Sequence, residues 1–152
     1  MNSHHTVAIG TWEGDKQQSI EYNSSIAVGI DCPRAKLRVS ILLDTIQEYQ
    51  VRYIFSDEEI SEAVNEAGLI IGARGIAYEG VLQRKPVIVV GEYGFGGLVT
   101  PDTLHEQYNN YFRGKINGIK AEYFSLERLE EEIRVSTQLR AYPLIWALLK
   151  CP

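Results

Sequence analysis

The sequence predicts an α/β fold, a single domain in which a parallel sheet is flanked by helices on both faces. Short apolar runs alternate along the chain with segments of helical length, as repeated strand–helix–strand units require. The runs at 69–71 and 87–90 are apolar throughout, which is typical of parallel strands covered on both faces. With 152 residues and 45% hydrophobic residues, the chain can bury the core of one compact domain but has little room for two.

Three strands are predicted in the first part of the chain. They are the apolar runs at 6–9, 26–30 and 51–55. The polar stretch 10–25 contains Gly14 and Asp15, so we expect a loop with a short helix between the first two strands. Apolar residues recur at helical spacing over 36–49, which predicts a helix that packs on the sheet.

The middle of the chain contains a predicted helix followed by a βαβ unit. Ser56 suits an N-cap, and the acidic residues at 57–59 place negative charge where a helix dipole favours it. The strands 69–71 and 87–90 then enclose a helix over 74–84. Ligands of parallel sheets bind at the carboxyl ends of the strands, so we expect the binding residues just after these two strands.

The last third of the chain is less regular. Residues 101–118 are polar and aromatic and predict a helix with a substrate-facing loop, 121–124 an edge strand, and Ser125 the cap of a helix over 126–135. A strongly apolar helix over 138–150 is expected to dock on the domain or on a partner. Strands and helices therefore alternate throughout, which is typical of a Rossmann-like domain with right-handed crossovers.

Composition argues against several functional classes. The net charge of -5 disfavours a surface for nucleic acid or anionic membranes. No apolar run approaches the ~20 residues of a transmembrane helix, and no signal-peptide pattern is visible, so we expect a cytoplasmic protein. Cys32 and Cys151 are interpreted as free thiols, since their spacing fits neither a disulfide framework nor a metal site. Residues 1–5, with two histidines, are interpreted as disordered or as a tag; no metal or cofactor is expected.

Residues 51–133 resemble the carboxyl-terminal, donor-binding half of GT-B glycosyltransferases. The resemblance rests on the acid-rich segment SDEEISEAVNEA before GLIIGA, followed by RGIAYEGVLQRKPVIVV and a glycine-rich stretch at 91–97. Members of that family often have a glycine-containing turn, a glutamate on the next helix and a Gly-Lys-Pro-Val strand entry. Here the entry is Arg-Lys-Pro-Val at 84–87. The first fifty residues match only in general α/β character.

The resemblance implies a UDP- or GDP-linked sugar, bound as a substrate through its ribose and diphosphate. Glu79 occupies the place of the ribose-binding glutamate, and a carboxylate offers two acceptor oxygens to a vicinal diol. Gly75 would let backbone N–H groups approach the diphosphate at the helix start. Arg74 would add a positive charge with bidentate geometry. The glycine-rich stretch is expected to form a second cradle for phosphate or sugar, through Gly91, Gly94, Gly96, Gly97 and, at its end, Thr100.

Two departures from the family bear on catalysis. Many retaining members carry a second acidic residue eight positions before the ribose-binding glutamate, and that position is Ile71 here. The family binds its acceptor on a separate domain, so transfer would require a partner subunit, a homodimer or a missing acceptor domain. Arg74 and Lys85 are expected to neutralise the leaving diphosphate. No residue is assigned as the catalytic base; Asp15, Asp31 and His105 are candidates without a motif.

Three other interpretations stay open. Small α/β enzymes of nucleoside deoxyribosyl transfer also place a glycine, an aromatic residue and a nucleophilic glutamate before a Lys-Pro-Val strand, and Tyr78 with Glu79 fits that pattern. The chain could instead be a non-catalytic interaction module that uses the aromatic residues at 108–112 and the last helix. Finally, the glycines could serve only tight turns, with Glu79 solvated on its helix.

Overall fold

A computed structural model describes residues 8–13, 16–21, 24–115, 119–120 and 123–138, with side chains described for 24–115, 119–120 and 123–136. The strands are β1 (Ala8–Glu13), β2 (Lys16–Glu21), β3 (Ser25–Gly29), β4 (Gln50–Tyr53), β5 (Leu69–Gly72), β6 (Val87–Gly91) and β7 (Gly94–Leu98). The α-helices are α1 (Pro33–Ile46), α2 (Ile60–Glu66), α3 (Arg74–Leu82), α4 (Leu104–Asn109) and α5 (Leu126–Gln138), and a 3-10 turn at Asp57–Glu59 precedes α2.

The main sheet has five strands in the order β4-β3-β5-β6-β7. The first four are parallel, and β7 is antiparallel to β6. The predicted α/β, Rossmann-like domain with a mostly parallel sheet is therefore confirmed. From β3 the chain moves to β4 on one side and then crosses to β5 on the other, so the strand order reverses between β3 and β5.

Helices cover both faces of this sheet, because successive strand residues point to opposite faces. On one face, Val28 and Ile71 belong to a buried cluster with Val39 of α1 and Leu129 of α5. On the other face, Ile70 and its neighbours pack with residues of α2 and α3. The sequence-predicted helix over 36–49 therefore packs on the sheet as expected, although it begins at Pro33 and ends at Ile46.

The described residues of the polar stretch 10–25, which are 10–13, 16–21 and 24–25, do not form the expected loop with a short helix. Instead, β1 and β2 pair in antiparallel register as a separate two-stranded sheet. Strand pairing uses backbone N–H and C=O groups, so a polar segment can form a ribbon without an apolar run. The strand expected at 6–9 overlaps β1 only from Ala8, and 6–7 lie outside the described residues.

The glycine-rich stretch at 91–97 is also different from the prediction, because most of it is strand β7 rather than a loop. The reason lies in Arg113, Lys115 and Ile119, whose backbone packs directly on this hairpin. A Cβ on Gly91 would lie 2.3 Å from the carbonyl oxygen of Arg113. Gly94 has φ +135°, and a Cβ there would lie 2.6 Å from the carbonyl oxygen of Ile119. The protein's own backbone therefore occupies the space that these glycines leave.

The carboxyl-terminal helix α5 begins as predicted, since Ser125 Oγ accepts a hydrogen bond from the Arg128 backbone N–H at 3.2 Å. Tyr123 and Phe124 form a turn, not the expected edge strand, and the other two residues of that predicted strand, 121–122, lie outside the described residues. Three further predictions also fall outside the described residues: residues 1–5, the helix over 138–150 apart from its first residue, and Cys151. Cys32 is a free thiol. None of the helices in the described part of the chain combines the length and apolar character that a bilayer crossing needs.

Candidate functional site

A cleft of about 550 Å³ lies at the carboxyl edge of the sheet, where the strand order reverses. Gly29 and Gly72 are paired at the ends of β3 and β5, and the chain leaves them toward α1 and α3. This is where ligands of doubly wound sheets bind. The residues that line the cleft follow β3, β4 and β5: Gly29, Asp31, Ile54, Phe55, Ser56, Asp57, Ile60, Ser61, Ala73, Arg74, Gly75, Ile76, Tyr78, Glu79 and Tyr111.

Glu79 lies in the second turn of α3 and is half-buried in this cleft. Its Oε2 accepts a hydrogen bond from Gln83 Nε2 at 2.8 Å, and the same Nε2 lies 3.3 Å from the carbonyl oxygen of Ser61. Gln83 therefore ties the carboxylate to α2 as well as to α3. Among the described residues, Oε1 of Glu79 has no hydrogen-bond partner, so it is available as an acceptor in the cleft.

Gly75 lies one helical turn before Glu79 and also lines the cleft. A Cβ at this position would meet only the Cδ1 atom of Ile60, at 3.5 Å, which is an ordinary contact. Packing within the protein therefore does not require glycine here, in contrast to Gly91 and Gly94. The open side of the Gly75 backbone is space that a ligand can approach.

Arg74 starts α3 in an unusual backbone conformation. Its φ is +56°, in the left-handed region that non-glycine residues rarely adopt. The Arg74 N–H donates to the carbonyl oxygen of Phe112 at 3.0 Å, and its guanidinium forms an ion pair with Glu92. Both charged side chains are nearly half exposed, so the pair contributes little to stability and can exchange partners.

The cleft is acidic overall. Asp31, Asp57 and Glu79 line it, whereas Arg74 is the one cationic residue among its described lining residues. Carboxylates suit sugar hydroxyls, which donate hydrogen bonds, better than they suit phosphate. An anionic group would be favoured only near the first turns of α1 and α3, where unpaired N–H groups and the helix dipoles supply positive potential.

Sequence reasoning did not assign the aromatic residues Phe55 and Tyr111, or Asp57, to this site. Phe55 and Asp57 follow the end of β4, so the rule that placed the site at strand ends could have found them. Tyr111 was expected in a substrate-facing loop or a partner surface, and it lies at the cleft with its ring 6.0 Å from that of Tyr78. Nothing in the sequence indicates that Tyr111 lies near the end of β5.

The residues of the predicted second cradle lie outside this cleft. Gly94, Gly96, Gly97 and Thr100 are not among its lining residues. Because β7 runs antiparallel to β6, its end lies at the opposite edge of the sheet, where the Val99 N–H donates to the carbonyl oxygen of Val87. Gly96 faces a separate cavity of about 340 Å³ beside Gln107 of α4. The structure thus brings together Arg74, Gly75 and Glu79 and separates them from the other four.

Lys85 has a structural position rather than one at the cleft. Its Nζ donates to the carbonyl oxygens of Ala67 at 2.7 Å and Asn65 at 3.1 Å, at the end of α2. Burial lowers the pKa of its ammonium group from the usual value. Lys85 therefore binds the last carbonyls of α2 and does not line the cleft, so this geometry does not support the expectation that it neutralises a diphosphate.

The candidate bases are placed differently by the structure. Asp31 lines the cleft, whereas His105 is exposed on α4 and is not among the lining residues. Asp15 lies outside the described residues. Within the described ranges, no group of three or more His, Cys, Asp or Glu side chains could hold a metal ion.

Comparison with known proteins identifies no relative. No family model matches this chain, and neither a curated protein nor a solved structure matches it. The function of the cleft is therefore inferred from its own residues.

Proposed function

We propose that this chain binds a nucleotide sugar in the cleft, as the donor-binding half of a glycosyltransferase-like protein. The observation that supports the proposal most directly is the placement of Gly75 and Glu79. They lie one helical turn apart on α3 and line the same cleft at the strand-order reversal. A cleft of about 550 Å³ is within the range that ordinary small-molecule ligands occupy.

In this proposal the ribose lies against Glu79. Its two hydroxyls donate to the carboxylate, whose Oε2 is held by Gln83 and whose Oε1 is available. The diphosphate lies at the start of α3, where the missing side chain of Gly75 permits close approach to the backbone. Arg74 leaves Glu92 for the phosphate, because an exposed ion pair is easily exchanged.

Sugar transfer is proposed to need a second component. Asp31 is the candidate base that lines the cleft. Among the described residues, no motif identifies a group that would activate the acceptor. The acceptor would then be supplied by a partner subunit, a second copy of the chain or a separate domain. The sugar would be activated by its own leaving diphosphate, which Arg74 and the α3 amino terminus stabilise.

Calorimetric titration tests this proposal. UDP, GDP, UDP-glucose and UDP-N-acetylglucosamine are titrated into the parent protein, into Glu79→Ala and into a matched control, Glu62→Ala, whose carboxylate is exposed on α2 outside the cleft. We expect one nucleotide series to bind, and Glu79→Ala to weaken it by about 1–3 kcal/mol through lost hydrogen bonds. Failure of all four ligands to bind would refute the proposal.

A second candidate function is an N-glycosidic reaction on nucleosides, of the deoxyribosyltransferase type. It is favoured by the fact that Asp31, Asp57, Tyr78 and Tyr111 line the same cleft as Glu79, since such a reaction uses a nucleophilic glutamate among acidic and tyrosine side chains. The glycine-rich stretch no longer needs a ligand-binding role, because it is a packed strand. Release of free base from a deoxynucleoside, lost in Glu79→Gln, would establish this reaction instead.

A further inference from the structure

We infer that the cleft contains an aromatic subsite for a planar nucleobase, formed by Phe55 on one side and by Tyr78 and Tyr111 on the other. The inference rests on the proposed function, because it assumes that the ligand carries a nucleoside. It adds which residues hold the base and therefore which part of the ligand determines affinity.

Phe55 is the first element of this subsite. Its side chain is 75% exposed, more than any other large hydrophobic residue in the described part of the chain. It follows β4 and lines the cleft, and the Lys36 ammonium lies 4.3 Å from the ring centroid. The exposed ring leaves apolar surface at the cleft that a ligand would bury on binding.

The two tyrosines approach from the other side of β3, since β4 and β5 flank that strand. Tyr78 is half-buried on α3, and Tyr111 is 45% exposed in the turn after α4. Their ring centroids are 6.0 Å apart with planes at 44°. Phe55 and this pair therefore contribute aromatic surface to one cleft from residues that follow different strands, and aromatic side chains are the surfaces on which nucleobases stack.

The backbone at Tyr111 shows that its position is imposed by the fold. Tyr111 and Phe112 have φ of 59° and 57°, and Arg74, bonded through its N–H to Phe112, has φ of 56°. Bulky residues seldom adopt this conformation, and such positions cluster at ligand-binding sites. Three of them joined at one rim hold the Tyr111 ring beside the cleft before any ligand arrives, which reduces the entropy lost on binding.

The class of ligand follows from the aromatic side chains that line the cleft together with Glu79. Tyr78 and Glu79 are consecutive, and both line the cleft. Because Phe55 and Tyr111 line the same cleft as these two residues, the base attached to a ribose at Glu79 would meet an aromatic lining. A simple sugar phosphate lacks a planar group to cover Phe55, so the aromatic residues favour a base-bearing ligand, whether nucleoside or nucleotide sugar.

The test compares ligands with and without a base. Uridine, guanosine, UDP-glucose and GDP-mannose are titrated against ribose 5-phosphate and glucose 1-phosphate, using the parent protein, Phe55→Leu and Tyr111→Leu. We expect both variants to weaken the base-bearing ligands by about 5- to 100-fold and to leave the base-free ligands unchanged. Tyr111→Phe keeps the ring and should retain parent affinity.

Tyr108→Leu is the matched control, because Tyr108 belongs to the same aromatic group and is 56% exposed but does not line the cleft. Phe55 and Tyr111 are exposed, so their replacement leaves the core intact, and circular dichroism melting of each variant verifies this. Equal weakening by Tyr108→Leu, or equal weakening of base-free ligands, would overturn the aromatic subsite.

The outcomes separate this inference from the proposed function. If nucleotide sugars bind and depend on Glu79 but not on Phe55 or Tyr111, the subsite is wrong and the proposed function stands. If nucleosides bind through the aromatic residues as tightly as nucleotide sugars do, the subsite stands and the nucleotide-sugar assignment is wrong. If no base-bearing ligand binds, both are wrong.

Discussion

The backbone N–H of Arg74 donates a hydrogen bond to the carbonyl oxygen of Phe112 across 3.0 Å, and both residues have a left-handed backbone. This bond connects the start of α3 to the turn that follows α4. It joins two parts of the cleft that lie far apart in the sequence: the start of α3 at Arg74, where a phosphate is proposed to bind, and the turn that carries Tyr111. Strained positions persist only where surrounding structure holds them, and here each one helps to hold the other.

Glycine should stabilise the protein where it replaces a residue whose backbone is in the left-handed region, most clearly at a position outside the cleft. Arg84 has φ of 60° just after α3, so Arg84→Gly should raise the free energy of unfolding by about 0.5–1 kcal/mol, the difference between the strain and the entropy that glycine loses. Arg74→Gly relieves similar strain but removes the ion pair with Glu92, so its gain should be smaller. Urea unfolding measures both, and a destabilised Arg84→Gly protein would contradict this account.

Two glycines should respond to alanine in opposite ways. Gly91→Ala places a Cβ 2.3 Å from the Arg113 carbonyl oxygen and should lower the free energy of unfolding by about 1–3 kcal/mol or more. Gly75→Ala makes only a 3.5 Å contact with Ile60, so stability should not fall, whereas affinity for a nucleotide diphosphate should. Unfolding and calorimetry on both variants test this contrast. Unchanged affinity in Gly75→Ala would show that no ligand approaches that backbone.

Lys85 should affect stability without affecting ligand binding. Lys85→Met removes the donor to the carbonyl oxygens of Ala67 and Asn65, and we expect a loss of about 1–2 kcal/mol in the free energy of unfolding. Nucleotide affinity should remain that of the parent protein, because Lys85 does not line the cleft. Weakened nucleotide binding with unchanged stability would restore the sequence-based role of Lys85 as a diphosphate partner.

Removal of the Glu92 charge should make Arg74 more available to an anion. In Glu92→Gln the guanidinium loses its carboxylate partner, so UDP should bind up to about 5-fold more tightly, the equivalent of one exposed ion pair. Uridine, which lacks phosphate, should bind as before. Calorimetry at low and high salt measures the change, since an electrostatic gain must shrink as salt is added. Equal gains for uridine and UDP would argue against a phosphate at Arg74.

The sequence was informative where structure depends on local pattern. The apolar runs at 69–71 and 87–90 correctly indicated buried parallel strands, and Ser125 correctly indicated a helix start. The strand-end rule placed Arg74, Gly75 and Glu79 at one site, because βαβ geometry brings residues after a strand to the same sheet edge. Polar segments that pair as strands lack such a pattern, so 10–13 and 16–21, which belong to β1 and β2, are part of the stretch for which the sequence predicts a loop.

Only the tertiary structure decided what the glycines do and which side chains share the cleft. Four glycines close together suggested a phosphate cradle. In the structure, the backbone of Arg113 and Ile119 and the side chain of Gln107 lie against Gly91, Gly94 and Gly96. A sequence cannot distinguish a glycine that admits a ligand from one that admits another part of the chain, because both need the same missing side chain. The sequence by itself therefore determined the α/β class and the grouping of the α3 residues at one cleft, through periodicity and strand ends. The packing of distant segments determined that Phe55, Asp57 and Tyr111 complete the cleft.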